Sequence, residues 1–90
     1  MSDFRDNSAA HQFELDAPEG MSFATYRDRD GARAILHVET PETARGKGYA
    51  SKLMDAIVAH ARAHDMKLKA RCAYAAAYLA RHPGVGDVMD

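Results

Sequence analysis

The sequence predicts an α/β domain: a small mixed sheet of about four strands, antiparallel at its start and parallel at its end, packed against one long and one short helix. Three observations predict it. Stretches that alternate apolar and polar residues flank Asp28-Arg29-Asp30-Gly31, a turn of the kind that closes hairpins. A helical stripe then runs from Lys47 to His64, and alternation resumes at Lys67. A strand, a helix and a strand in succession make a right-handed crossover, so the last strand should lie parallel to the one before the helix.

Residues 1–10 are polar and show no period, which predicts a frayed terminus ahead of a single domain over residues 11–90. His11 to Leu15 alternates, with Phe13 and Leu15 on one face and Gln12 and Glu14 on the other. Ala17-Pro18-Glu19-Gly20 is a turn. Met21 to Arg27 alternates again, and the third predicted strand runs from about Arg33 to Glu39. In the long helix the apolar positions Ala50, Leu53, Met54, Ile57, Val58 and Ala61 fall on one face. Burying its four large side chains stabilises by about 1.5 to 3 kcal/mol each before entropy is subtracted. Lys67 to Cys72 places Leu68, Ala70 and Cys72 on one face and Lys67, Lys69 and Arg71 on the other. Tyr74 to Arg81 is alanine-rich and helical and stops before Pro83.

Bulk properties narrow the function classes. The 90 residues make one domain, 47% hydrophobic and 28% charged, with 12 basic and 13 acidic side chains and a formal net charge of -1. This balance does not suggest a general nucleic-acid binder. No apolar run is long enough to cross a bilayer, and the start of the chain has no basic segment followed by an apolar one, so a cytoplasmic location is expected. The single cysteine, Cys72, suits a reducing compartment.

The chemistry concentrates at Glu39-Thr40-Pro41-Glu42-Thr43-Ala44-Arg45-Gly46-Lys47-Gly48-Tyr49-Ala50, where a strand breaks into a loop and the long helix begins. First-turn N–H groups of a helix lack intrahelical partners and carry the positive end of its dipole, which makes this an anion site. Gly46 and Gly48 remove side chains that would hold a phosphate off the backbone, and Arg45 and Lys47 add charge. The alternative is a structural helix start with two flexible glycines. The spacing differs from both G-x-x-x-x-G-K-[ST] and G-x-G-x-x-G.

Arg-Gly-Lys-Gly-Tyr-Ala resembles R-x-x-G-x-G/A, the acetyl-CoA pyrophosphate loop of GNAT-type N-acetyltransferases. His37-Val38-Glu39-Thr40-Pro41, Cys72-Ala73-Tyr74 and Tyr78-Leu79-Ala80-Arg81-His82-Pro83 extend the resemblance to the small single-domain GNAT-related, NATD-like proteins over about residues 11 to 88. The chain departs from that pattern at Ala73, where the family often has Pro, and at Gly84-Val85, where it usually has Glu and an aromatic. The resemblance implies a minimal GNAT-like domain that binds acetyl-CoA or CoA. Pantetheine would lie where the third and fourth predicted strands splay, and pyrophosphate would sit on the amides from Gly46 through Lys47, Gly48, Tyr49 and Ala50 to Ser51. Thr40 would offer main-chain hydrogen bonds to pantetheine. It also implies transfer of acetyl to an amine on a small molecule or a protein. Alternatives are a CoA-binding regulatory module without turnover and a protein-interaction domain with a structural loop.

Transfer to an amine needs a base and an oxyanion donor. Glu39 and His37, on one strand face, are candidates for the base; the plainer readings are a solvated carboxylate and a hydrogen-bonded sheet histidine. Cys72 ends a strand beside the expected thioester, where Arg71 and the following helix would lower a thiol pKa, so it is either an acyl-accepting nucleophile or a small core residue. Tyr74 and Tyr78 share a helical face and either protonate a leaving thiolate, line the pantetheine channel or pack with wet hydroxyls. His60 and His64 have the i, i+4 spacing of a metal pair without a third ligand and read as a solvated helix end. Lys67, Lys69 and Arg71 read as a solvated basic face, with the 3′-phosphate of CoA or a nucleic acid as alternatives.

Overall fold

The computed structural model describes residues 3–89. It contains one five-stranded sheet in the order β1-β2-β3-β4-β5: Phe4–Asn7, Gln12–Ala17, Gly20–Arg29, Ala32–Glu39 and Lys67–Ala70. The first four strands pair antiparallel and β5 joins β4 parallel. Helix α1, Tyr49–Ala63, makes the crossover, and α2, Ala73–Ala80, follows β5. The predicted mixed sheet is therefore present, with one strand more than expected.

The extra strand corrects the expected frayed terminus for residues 4–10; Met1 and Ser2 lie outside the described residues. Phe4-Arg5-Asp6-Asn7 has no apolar alternation because polar cross-strand partners hold it. Arg5 Nε donates to Glu14 at 2.6 Å, Asn7 Nδ2 donates to the same carboxylate at 3.0 Å, and Arg33 Nη1 donates to Asp6 at 2.8 Å. Phe4 adds an aromatic anchor, stacked on Phe13 with ring centroids 5.7 Å apart. Strand β1 is thus held mainly by polar pairs, which leave no apolar period to read.

The strand pairings define two unlike sheet faces. Phe13 opposes Ala24, and Tyr26 opposes Ile35. Those four residues are buried together with Leu53, Met54, Ile57 and Ala61, so α1 covers this face with its predicted stripe. Residues one position along each strand point the other way. There Met21, Phe23 and Thr25 are half-buried and His37 and Glu39 are exposed. Glu14 shares this second face yet is 4% exposed. Its carboxylate is wrapped by Gln12, Asn7 and Arg5, which hold its pKa below the ordinary value and outweigh the opposing effect of burial. Both faces of β2 are thus enclosed, one by apolar packing and one by hydrogen bonds.

A bulge interrupts β4. Tyr26 opposes Ile35 but Thr25 opposes His37, which leaves Leu36 as the extra residue. The ladder to β5 stops at the same place: Ile35 opposes Ala70, Arg71 N–H donates to the Ile35 carbonyl at 2.8 Å, and β4 continues to Glu39 without β5. Beyond Ile35 the two strands part. The chain then turns into α2, which packs beside α1 and buries Ala75, Tyr78 and Leu79, and Pro83–Val88 forms a 3-10 turn that buries Val85 and Val88. That turn is an addition to the predicted elements.

Candidate active site

The loop after β4 approaches α1 through Gly46 (φ 82°) and Gly48 (φ 80°), left-handed conformations that a side chain would strain. Gly48 is the residue before the helix and supplies no side-chain cap, so the first-turn amides face outward from α1 uncovered by one. A Cβ added at Gly46 or Gly48 would meet no atom within 4 Å. The backbone there borders open space rather than packed protein, which suits a loop that admits a ligand against its amides.

That space is a cleft of about 240 Å³. It is lined by Thr40, Arg45, Gly46, Gly48, Tyr49, Ala50 and Ser51, seven of the nine residues expected to bind the cofactor, and by Ala44 and Tyr74 besides. The other two stand elsewhere. Lys47 Nζ donates to Glu19 at 2.5 Å, and Tyr49 Oη donates to the second oxygen of that carboxylate at 2.9 Å. Thr43 Oγ1 donates to the Glu19 carbonyl at 3.1 Å. Glu19, in the turn between β2 and β3, therefore anchors the loop at three points, and Lys47, then Tyr49, hold its pKa below the ordinary value. Sequence reading missed Glu19 because its partners are 24 to 30 residues away. Arg45 is left as the loop's exposed cation; its Nε reaches the Thr40 carbonyl at 3.4 Å.

Tyr78 is turned away from the loop cleft. It is 3% exposed, its hydroxyl donates to Asp55 of α1, and its ring stacks on His82 at 4.0 Å. Burial first and the Asp55 carboxylate second raise its pKa, which keeps the phenol protonated. The tyrosine that reaches the cleft is Tyr74, one helical turn earlier.

Cys72 caps α2: its Sγ accepts the Ala75 N–H at 3.3 Å, and the side chain is half-buried against the core. The sulfur therefore packs as a small core residue would and also caps the helix that follows. It stands between Arg71, which donates its N–H to Ile35 where the strands part, and Tyr74 in the cleft. On the opposite strand His37 Nε2 and Glu39 Oε1 lie 3.3 Å apart, and His37 also meets the Phe23 ring edge-on at 6.5 Å. Their side chains are 57% and 52% exposed, so water reaches the candidate base directly.

The histidine pair on α1 departs from expectation at one member. His60 is half-buried against Phe4, Phe13 and the ring of His64, 4.2 Å away, rather than solvated. Burial, then the neighbouring His64, lowers its pKa. No group of three or more potential metal ligands occurs among the described residues. No described helix is long and apolar enough to cross a membrane.

A bulged strand that parts from its parallel neighbour, followed by a glycine-rich loop at a helix start, is the architecture of a GNAT-type domain. Comparison with known proteins agrees. The family model described as GCN5-related N-acetyl-transferase matches residues 12–88. The chain belongs to that family, whose members are N-acetyltransferases. Among solved structures it is similar to the NMR solution structure of a GCN5-like candidate N-acetyltransferase from Staphylococcus aureus, with 27% identity and a TM-score of 0.69 over 100% of this chain and 91% of that one. No curated protein matches.

Proposed function

We propose that the protein binds acetyl-CoA at the cleft formed by the loop and the start of α1, and transfers its acetyl group to an amine. The observation that carries this reading is the convergence of Thr40, Arg45, Gly46, Gly48 and the α1 amides from Tyr49 to Ser51 on one cleft, at the far end of the β4 segment that β5 leaves unpaired after Ile35. Pyrophosphate would rest on those amides with Arg45 adding charge, and the free edge of β4 after Ile35 would hold the pantetheine arm. Bound acetyl-CoA supplies an activated thioester carbonyl. Glu39 or His37 would take the proton released by the attacking amine, directly or through one water. Cys72 is the candidate acyl-accepting nucleophile, since its Sγ lies at the N-terminus of α2 where the chain leaves β5.

Calorimetry with acetyl-CoA tests the cofactor part. Wild type should bind at about micromolar strength, roughly 8 kcal/mol, and Gly48→Glu, which sets a carboxylate and a strained φ into the loop, should weaken binding by about a hundred-fold or more. Unchanged affinity in the variant would remove the loop from the site. The exposure of His37 and Glu39 favours a second reading, a CoA-binding module without turnover. Release of free CoA thiol in the presence of amines distinguishes the two.

A further inference from the structure

The face of the sheet opposite α1 carries a second cavity, about 570 Å³, and its walls are cationic. The register explains it. Arg27 on β3 opposes Ala34 on β4, and Ala34 opposes Lys69 on β5, so one row across three strands reads cation, methyl, cation. Arg29 and Arg71 continue the two flanks, and Ala34 and Leu36 form the floor. Strands two apart run about 10 Å from each other, so basic side chains rising from β3 and β5 flank a low, apolar floor on which an anion meets both sides. One acid, Asp30, lies at the far end and is engaged by Arg29 at 3.7 Å. Among the described residues the side chains of Arg27 and Arg71 form no ion pair. Leu36, 39% exposed, is the one large hydrophobic residue exposed among the described residues, and it is the bulged residue where β4 and β5 part.

The groove therefore ends beside the parting strands, on the face that carries His37 and Glu39. We propose that it is the acceptor site and that the acceptor is an acidic peptide segment, whose amine is presented at Leu36 and whose carboxylates lie between the two cationic flanks. This rests on the acetyltransferase reading above. From Ala32, level with Arg29, to Leu36 the groove follows β4 for roughly 13 Å, the length of an extended segment of about four residues and more than a small amine would span. A nucleic acid fits less well, because no aromatic ring lines the groove for bases to stack on.

Fluorescence anisotropy on the full chain tests this, with three labelled five-residue peptides that each hold a central lysine flanked by glutamate, serine or arginine. The glutamate peptide should bind about ten-fold tighter than the serine peptide at about 0.01 M salt, and the preference should shrink at about 0.15 M as the screening length falls from about 30 to about 8 Å. In Arg27→Glu/Arg29→Glu, two exposed positions outside the loop cleft, the preference should vanish while acetyl-CoA affinity stays within about two-fold of wild type. Equal binding of the three peptides, or a preference that survives in the variant, overturns the proposal. So does a single-stranded oligonucleotide of equal charge that binds more tightly than the glutamate peptide. Because anisotropy needs no turnover and is read with and without CoA, a failure of acetyl-CoA to bind would count against the cofactor site and leave the groove's own result standing.

Discussion

Phe13 and Phe23 sit on neighbouring strands of the same sheet and live in opposite environments. Phe13 is fully buried under α1, against Phe4, Tyr26 and His60. Phe23 is half-buried on the other face, beside His37. The difference teaches how a chain of this size divides its labour. One face carries nearly all of the apolar core, which leaves the other free to present Arg27, Lys69, His37 and Glu39 to solvent without a large loss of stability. The cofactor loop belongs to the packed side, at the start of the helix that covers it, and the groove belongs to the open side.

The largest test of this division is truncation. Phe13→Ala should cost about 3 to 5 kcal/mol, a large part of the total for a small domain, whereas Phe23→Ala should cost less than about 1 kcal/mol. Denaturant titration reads both, and comparable losses would mean that the second face is also core. Within the loop the contrast is between its two cations. Arg45→Ala should weaken acetyl-CoA binding by about ten-fold, near 1.4 kcal/mol, because a charge-assisted hydrogen bond is lost. The paired exchange Glu19→Gln/Lys47→Gln should change it by less than about three-fold, since those charges already satisfy each other. Calorimetry showing the reverse order would make Lys47 the phosphate ligand.

Cys72 lies on the boundary between the regions. As a cap it is replaceable by serine, so Cys72→Ala should be less stable than Cys72→Ser by about 1 kcal/mol in thermal melts. Mass spectrometry of wild type after incubation with acetyl-CoA then reads the other role directly; no acetyl group on Cys72 would restrict the sulfur to capping.

The smallest effects are electrostatic and separate the faces by pH. His60, on the packed side, has its pKa lowered from 6.5, so the unfolded chain binds more protons just below that pH and stability should fall as pH drops through it. Glu14, on the open side, has its pKa lowered from 4.5; its contribution is complete above that value and is lost as pH falls further, through the folded-state pKa. His60→Phe should flatten the first window of a stability–pH curve and Glu14→Gln the second. If one substitution flattened both, the two groups would belong to one network rather than to two faces.

How much was legible follows the range of the forces involved. The parallel return of β5 was legible because a strand-helix-strand crossover has a fixed hand, and helix α1 with its buried stripe and the Asp30-Gly31 hairpin because each rests on spacing within a dozen or so residues. The loop's glycines, Arg45 and the α1 amides were legible for the same reason. Strand β1 was not, since its residues are mostly polar and carry no alternation, and neither were the Glu19 anchor under Lys47 and Tyr49 nor the turning of Tyr78 toward Asp55, since each of these depends on a distant partner brought close by the fold.

The order of strands and helices from β2 onward, and the glycines and cations of the loop at the start of α1, follow from the sequence alone, because hydrophobic period and backbone conformation are local properties. Where each cation is directed was decided by the tertiary structure alone. Lys47 and Arg33 are taken up by Glu19, Asp6 and Asp28, while the strand register lines Arg27 and Lys69 along a groove that opens where β4 and β5 part. A charge has no intrinsic direction along the chain; its partner is whichever opposite charge the fold brings within a few ångströms.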